Sequence, residues 1–299
     1  MPVGRGLTVK MVARQLLPPA ALAGLQELRR RRRGAPREWE YVPQGWRALR
    51  TDPNLRGWDV PSVTEAYRRH WDTYRAAVAS TLPLAITPEH IPGVGLAADS
   101  YGELDVLLHN TVMSYAYALA RGARGKAALS LLDWGGGVGH YYHLSRALLP
   151  DLDLAYSCKD LPGTIAVGRQ LVPEATFYND DRCFEQTYDL VLASGSLQFA
   201  QEWQGLVGRL AAASTGYVFV NQLPVVHRAP SFVFVQRPYG HGYATEYLGW
   251  CLRRGEVLAV AEQHGLRLVR EFVNGFKPPV HRAPEAPEYR GFLFAARPA

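Results

Sequence analysis

The sequence predicts an α/β protein, a parallel sheet covered on both faces by helices and preceded by a helical, aromatic-rich region. Three observations predict it. From about residue 127 onward, short apolar runs alternate with helix-length stretches across short joints. One of those runs ends in an acid and then in Gly135-Gly136-Gly137-Val138-Gly139, a turn that opens a helix. Apolar residues make up 47% and charged residues 20% of 299 positions, which supports a sizeable core and excludes wholesale disorder.

The amino-terminal residues, 1 to about 38, read as a basic leader. Leu22, Leu25 and Leu28 recur at three-residue intervals ahead of the run Arg29 to Arg33, as in a short amphipathic helix ending in cations. We read it as a solvated tail. Weak contact with an anionic membrane surface or with nucleic acid is the alternative. Arg14, Gln15 and Pro18-Pro19 interrupt the apolar stretch, so the segment is not read as an export signal. Three cysteines, Cys158, Cys183 and Cys251, form neither a disulfide framework nor a zinc spacing, and a cytoplasmic location is the default. Apolar runs fall short of the roughly 18 residues that span a bilayer.

Residues 39–125 read as the helical, aromatic-rich part. Ser62 and Glu65, after Pro61, have capping-box spacing, and Tyr67, Trp71, Tyr74 and Val78 continue as one helical stripe. A second helix is expected over Glu103 to Arg121, with Leu104, Leu108, Thr111, Tyr115 and Leu119 on one face and Gly122 as its stop. Trp39, Trp46, Trp58 and Trp71 all lie in this part, and we read them as packing residues rather than as a ligand-stacking set. Beyond it, strands are expected at Ala128–Leu132, Leu152–Cys158, Ala175–Tyr178, Tyr188–Ala193, Tyr217–Val220, Leu266–Val273 and Arg290–Ala296. Helices are expected near 140–149, 162–171, 200–213 and 246–264.

The glycine turn narrows the ligand. Without Cβ atoms a backbone bends sharply and approaches a bound group closely. The spacing fails the dinucleotide fingerprint, because the final position falls on His140 or Tyr142, and no lysine-bearing phosphate loop is present. Asp133 stands just before the glycines. A carboxylate there repels a pyrophosphate and suits a cationic amino group. Asp160 follows the second strand, where an acid accepts both hydroxyls of a ribose. Asp180 and Asp181 follow the third strand, within reach of an adenine amino group, and Ser194-Gly195-Ser196-Leu197-Gln198 follows the fourth and closes the pocket. The implied ligand is an adenosine with an amino-acid arm, S-adenosylmethionine.

The segment Leu131 to Tyr142 resembles motif I of class I S-adenosylmethionine-dependent methyltransferases, and Asp160-Leu161-Pro162 is similar to the acid-Leu-Pro step of many small-molecule O-methyltransferases. More narrowly, Leu132–Gly139, Ser194–Phe199 and Gln236–Leu248 resemble a methyltransferase family often found beside polysaccharide or secondary-metabolite genes. Trp46, Gly57-Trp58 and the helix after them fit the same resemblance, which covers roughly residues 45–297. It implies a Rossmann-like sheet of seven strands with the last antiparallel, and a cofactor-binding catalytic domain over 126–299 behind a cap on the acceptor side. Carried over, Asp133, Gly135, Gly136, Gly137 and Gly139 line the methionine end. Asp160 holds the ribose, Leu161 covers the adenine, Asp181 or Asp180 meets its amino group, and Ser194 and Ser196 flank the pocket.

Transfer to a hydroxyl needs alignment, exclusion of water and removal of a proton. Gln198 stands where plant-type O-methyltransferases place a histidine, and a neutral amide is not a base. His241, in the loop Pro238 to Tyr243, and His227, after the fifth strand, are the candidate bases. Asp180, Asp181 and Glu202 do not establish a metal site from sequence, and none is assigned. The expected reaction is O-methylation of a sugar or another small metabolite, a glycan or natural-product intermediate, with a homodimer compatible. A nucleic-acid methyltransferase is the alternative, supported only by the arginine run, since Ser194–Phe199 lacks an Asn/Asp-Pro-Pro-aromatic motif. A non-catalytic binder of the same cofactor is a third reading.

Overall fold

The computed structural model describes residues 37–49, 52–85, 87–88 and 103–296. The basic leader, including Arg29 to Arg33, lies outside the described residues. Among the described residues, no helix is long and apolar enough to cross a membrane.

Chain order begins with strand β1 (Trp39–Val42), helix α1 (Pro61–Val78) and helix α2 (Glu103–Ala123). Alternation follows: β2 (Ala128–Trp134), α3 (Tyr141–Leu148), β3 (Asp153–Lys159), α4 (Pro162–Leu171) and β4 (Thr176–Tyr178). Next come β5 (Tyr188–Ser194), α5 (Trp203–Ala212) and the long β6 (Ser214–Val226). The last elements are β7 (Phe232–Gln236), β8 (Tyr247–Arg253), α6 (Arg254–Gln263), β9 (Leu266–Val273) and β10 (Glu288–Ala296).

Five parallel strands run in the order β4-β3-β2-β5-β6. β10 lies antiparallel between β6 and β9, which completes the expected seven strands with the last one reversed. Leu190, Val191, Leu192 and Ala193 of β5 are buried in succession, the pattern of a strand covered on both faces. On α1, Val63, Ala66, Tyr67, Trp71, Tyr74 and Ala77 form one buried stripe against α3 and α4.

Several local expectations change. A three-stranded antiparallel extension, β1-β7-β8, joins the sheet through two residues of β6. The helix expected over 246–264 is therefore a strand to Arg253 and a helix only from Arg254. The distant run Phe232–Gln236 supplies its hydrogen-bond partners, and Gly249 lets the Phe234 ring lie against its backbone. The capping box at Ser62 does not form: α1 starts at Pro61 without a side-chain cap, and Ser62 Oγ accepts a hydrogen bond from Ala244 N at 3.1 Å. α2 runs through Gly122 to Ala123 rather than stopping at the glycine, which packs close to Leu129 and Leu190. The four tryptophans pack: Trp39 on Phe234, Trp46 on Trp250, Trp58 on Tyr247, and Trp71 on Tyr74.

Candidate cofactor and acceptor site

Strand order reverses between β2 and β5, and ligands of such sheets bind at the carboxyl edge of that switch point. The glycine turn lies there. Gly135, Gly137 and Gly139 have φ of 71°, 60° and 80°, a region that L side chains avoid. Crowding reinforces the requirement. A Cβ on Gly135 would lie 2.3 Å from Ser196 Cβ, and one on Gly137 would lie 2.7 Å from the Tyr67 hydroxyl. A Cβ on Gly136 would meet the Asp133 carboxylate. The turn is thus pressed between the loop after β5 and helix α1.

Asp133 is 1% exposed, at the end of β2. Its Oδ2 accepts from the Tyr156 hydroxyl at 2.5 Å. Burial first, and then the Asp133 charge, push the Tyr156 phenol well above its ordinary range, so it remains a donor. Asp160 joins the turn after β3 to the glycine turn. Gly137 N donates to Asp160 Oδ2 at 2.8 Å, and Leu161 N donates to Oδ1 at 2.6 Å. Gly135 N donates to Lys159 O at 2.7 Å, which ties the same two turns a second time. Ser196 Oγ donates to Trp134 O at 2.8 Å, and Ser194 Oγ shares a hydrogen bond with the Tyr141 hydroxyl.

Asp133, Gly135, Gly136, Gly137, Gly139, Asp160, Leu161, Ser194 and Ser196 therefore share one edge of the sheet. Asp180 and Asp181 lie on the turn after β4, with other partners. Asp180 accepts from the Arg182 backbone and guanidinium, and Asp181 Oδ2 accepts from Arg209 Nη1 at 2.6 Å. The two histidines are not brought together. His227 Nε2 lies 2.7 Å from Glu288 Oε1, while His241 Nε2 lies 3.4 Å from Glu38 Oε1. Tyr243, two residues past His241, reaches the Trp58 ring at 6.4 Å.

Residues before position 80 complete the site, and their spacing in the sequence does not reveal it. Tyr74 hydroxyl donates to His140 O at 2.9 Å, fastening α1 to the glycine turn beside Tyr67. Asp59 Oδ1 accepts from Gly163 N at 3.1 Å, just after Asp160, while the neighbouring Trp58 lies 5.4 Å from Phe199 after β5. Trp58-Asp59 thereby bridges the turn after β3 and the loop after β5, on either side of the glycine turn. The Gly57-Trp58 pair was the one legible hint.

No family model matches the chain, and no curated protein matches it. Among solved structures it is similar to magnesium protoporphyrin IX methyltransferase (ChlM) from Synechocystis PCC 6803 with bound SAM. That match has 14% identity, covers 80% of this chain and 99% of that one, and has a TM-score of 0.46. It is similar to Streptomyces venezuelae DesVI at 18% identity, over 64% of this chain and 92% of that one, with a TM-score of 0.45. The CcbJ methyltransferase from Streptomyces caelestis matches at 13% identity, over 67% and 94%, with a TM-score of 0.44.

Proposed function

We propose that the chain is an S-adenosylmethionine-dependent methyltransferase that O-methylates a hydroxyl of a sugar or another small metabolite. The observation that carries this reading is the joining of Gly137 to Asp160 across the carboxyl ends of β2 and β3, beside the switch point. The donor set fits the cofactor. Asp133 suits its ammonium group, the glycine turn admits the aminocarboxypropyl arm, and Asp160, oriented by two backbone amides, suits the ribose hydroxyls. Leu161 covers the base, Ser194 and Ser196 border the sulfur side, and Asp180 or Asp181 reaches the adenine amino group after exchanging its arginine. S-adenosylmethionine, when bound, supplies a methyl group on a sulfonium.

The protein's own part is alignment, dryness and a proton acceptor. α1 covers the glycine turn through Tyr67 and Tyr74, which keeps bulk water from that side. The loop carrying His241 roofs the Trp58 side through Tyr243, and we assign His241 the proton of the acceptor hydroxyl, with His227 as the second candidate.

Asp160→Ala and Gly137→Val test the reading. Each is expected to weaken S-adenosylhomocysteine binding by at least about ten-fold, the loss of a charge-assisted hydrogen bond or of close approach. Calorimetry on variants shown to be folded measures it, and wild-type affinity in both would refute the site.

A further inference from the structure

The Trp58-Asp59 bridge carries a polar pair that the fold does not use. Gln198, on the turn after β5, is 3% exposed, and its Oε1 has no hydrogen-bond partner among the described residues. Trp58 Nε1 is likewise buried without a partner among them. The two residues are linked through Phe199, the neighbour of Gln198, whose ring packs edge-on against Trp58 at 5.4 Å. A buried carbonyl and a buried N–H left unmade each destabilise a fold, and here they belong to residues joined through one ring contact, that of Phe199 on Trp58. Gln198 follows Ser196 by two residues, and Ser196 touches the glycine turn.

We propose that Trp58 Nε1 and Gln198 Oε1 are the polar recognition pair of the acceptor subsite, and that the acceptor is a neutral, hydroxyl-bearing ring such as a glycoside. The indole N–H donates to a ring or hydroxyl oxygen, and the amide oxygen accepts from a hydroxyl. Phe199, Tyr243 and Tyr247 around Trp58 offer the apolar faces that a sugar ring packs on. The charges on this bridge are already engaged: Asp59 Oδ1 accepts from Gly163 N, and the Glu246 carboxylate pairs with Arg237 Nε at 3.1 Å. The pair itself is one neutral N–H and one neutral carbonyl, so an acceptor ionised with either sign would bury a charge there without a counter-charge. Because both polar atoms are covered, the ligand reaches them by displacing the Trp58 ring, and indole emission reports the event. This inference rests on the methyltransferase reading and specifies its acceptor.

The test titrates the full chain, saturated with S-adenosylhomocysteine, with phenyl β-D-glucoside, phenyl β-D-glucuronide and the 2-amino-2-deoxy glucoside, followed by tryptophan fluorescence. The neutral glucoside is expected to saturate with a dissociation constant of about 1 mM, with both charged analogues weaker by about ten-fold. Gln198→Leu and Trp58→Phe, the latter keeping the stack on Tyr247 and titrated beside the wild type by calorimetry because the reporting indole is gone, each weaken it by about ten-fold and leave S-adenosylhomocysteine affinity within about two-fold. Gln198→Leu also raises the melting temperature by about 1–4 °C, since an unpaired carbonyl leaves the core; a purely structural glutamine would give the opposite sign. A neutral probe that binds no better than the charged ones, unchanged affinity in Gln198→Leu, or a lowered melting temperature overturns the proposal. Failure of S-adenosylhomocysteine itself to bind overturns the methyltransferase reading with it. A bound cofactor with a flat glucoside titration removes only the acceptor subsite.

Discussion

Gln222 has φ of 53°, in the left-handed region, inside strand β6. The cause is local. Between Val220 and Leu223, β6 carries two residues against the single Gly291 of β10, and the extra residue is turned out of the ladder as a bulge. The strain lies beside the site, because Asn221 accepts the Gly195 amide and the Gln222 side chain would be 2.8 Å from a Cβ on Gly195. Backbone of this kind costs on the order of 1–2 kcal/mol for an L residue and little for glycine. Gln222→Gly is therefore expected to exceed Gln222→Ala in unfolding stability by about 1 kcal/mol, measured in urea. The two variants lose the same side-chain contacts, so the difference isolates the backbone. Equal stabilities would show that position 222 is unstrained.

Helix α1 is the element that turns a cofactor-type sheet into a covered site. Its apolar stripe packs on α3 and α4, and its two tyrosines reach the glycine turn. Tyr74→Phe keeps the stripe and removes the shorter of two hydrogen bonds to the His140 carbonyl, leaving the 3.4 Å bond from Leu144 N. The expected loss is about 1 kcal/mol of stability, read from thermal unfolding, with a looser turn seen as faster amide exchange at Gly139 and His140. Unaltered stability and exchange would separate α1 from the turn. Sequence patterning reads this region unevenly. The stripe Tyr67, Trp71, Tyr74 is visible because helical period depends on local spacing alone. The approach of Tyr67 to Gly137, about seventy positions away, depends on how two layers dock, and no local pattern encodes it. The same limit explains β8. Leu248, Trp250 and Leu252 alternate with the strand period of two, but the following stretch Arg254–Gln263 is helical, and what fixes the boundary is the edge offered by β7, the run Phe-Val-Phe-Val. β5 is legible as a short apolar run between turn residues, and β3 and β9 as strand-length stretches of apolar residues interrupted by polar ones.

For the whole molecule, acid stability is set by carboxylates that tie strands and loops together, Glu285 and Glu288 near β6 and Asp189 between β5 and β2. Glu285 accepts backbone N–H groups from Ala229, His227 and Arg228, and these bonds bring its carboxyl from the ordinary 4.5 down to about 2. Burial pushes Glu288 and Asp189 upward, yet hydrogen bonds outweigh it. His227 and Arg290 draw Glu288 below its usual value, and Lys126 and Ser130 do the same for Asp189. A depressed native value means that the unfolded chain binds protons first. Glu285 therefore stabilises fully above pH of about 4.5, and its contribution fades as pH falls towards about 2, while Glu288 and Asp189 act in the same direction. Glu285→Gln should lower stability at neutral pH and flatten its slope between those limits, measured by thermal unfolding across pH. An unchanged slope would place the acid response elsewhere. The last feature is the insertion of β10 between β6 and β9. Of the ten strands among the described residues it is synthesised after the other nine, so β6 and β9 wait with open flanks while those already exist. A nascent chain stalled before Glu288 would expose those flanks to neighbours on the same polysome, and chaperone demand should peak there.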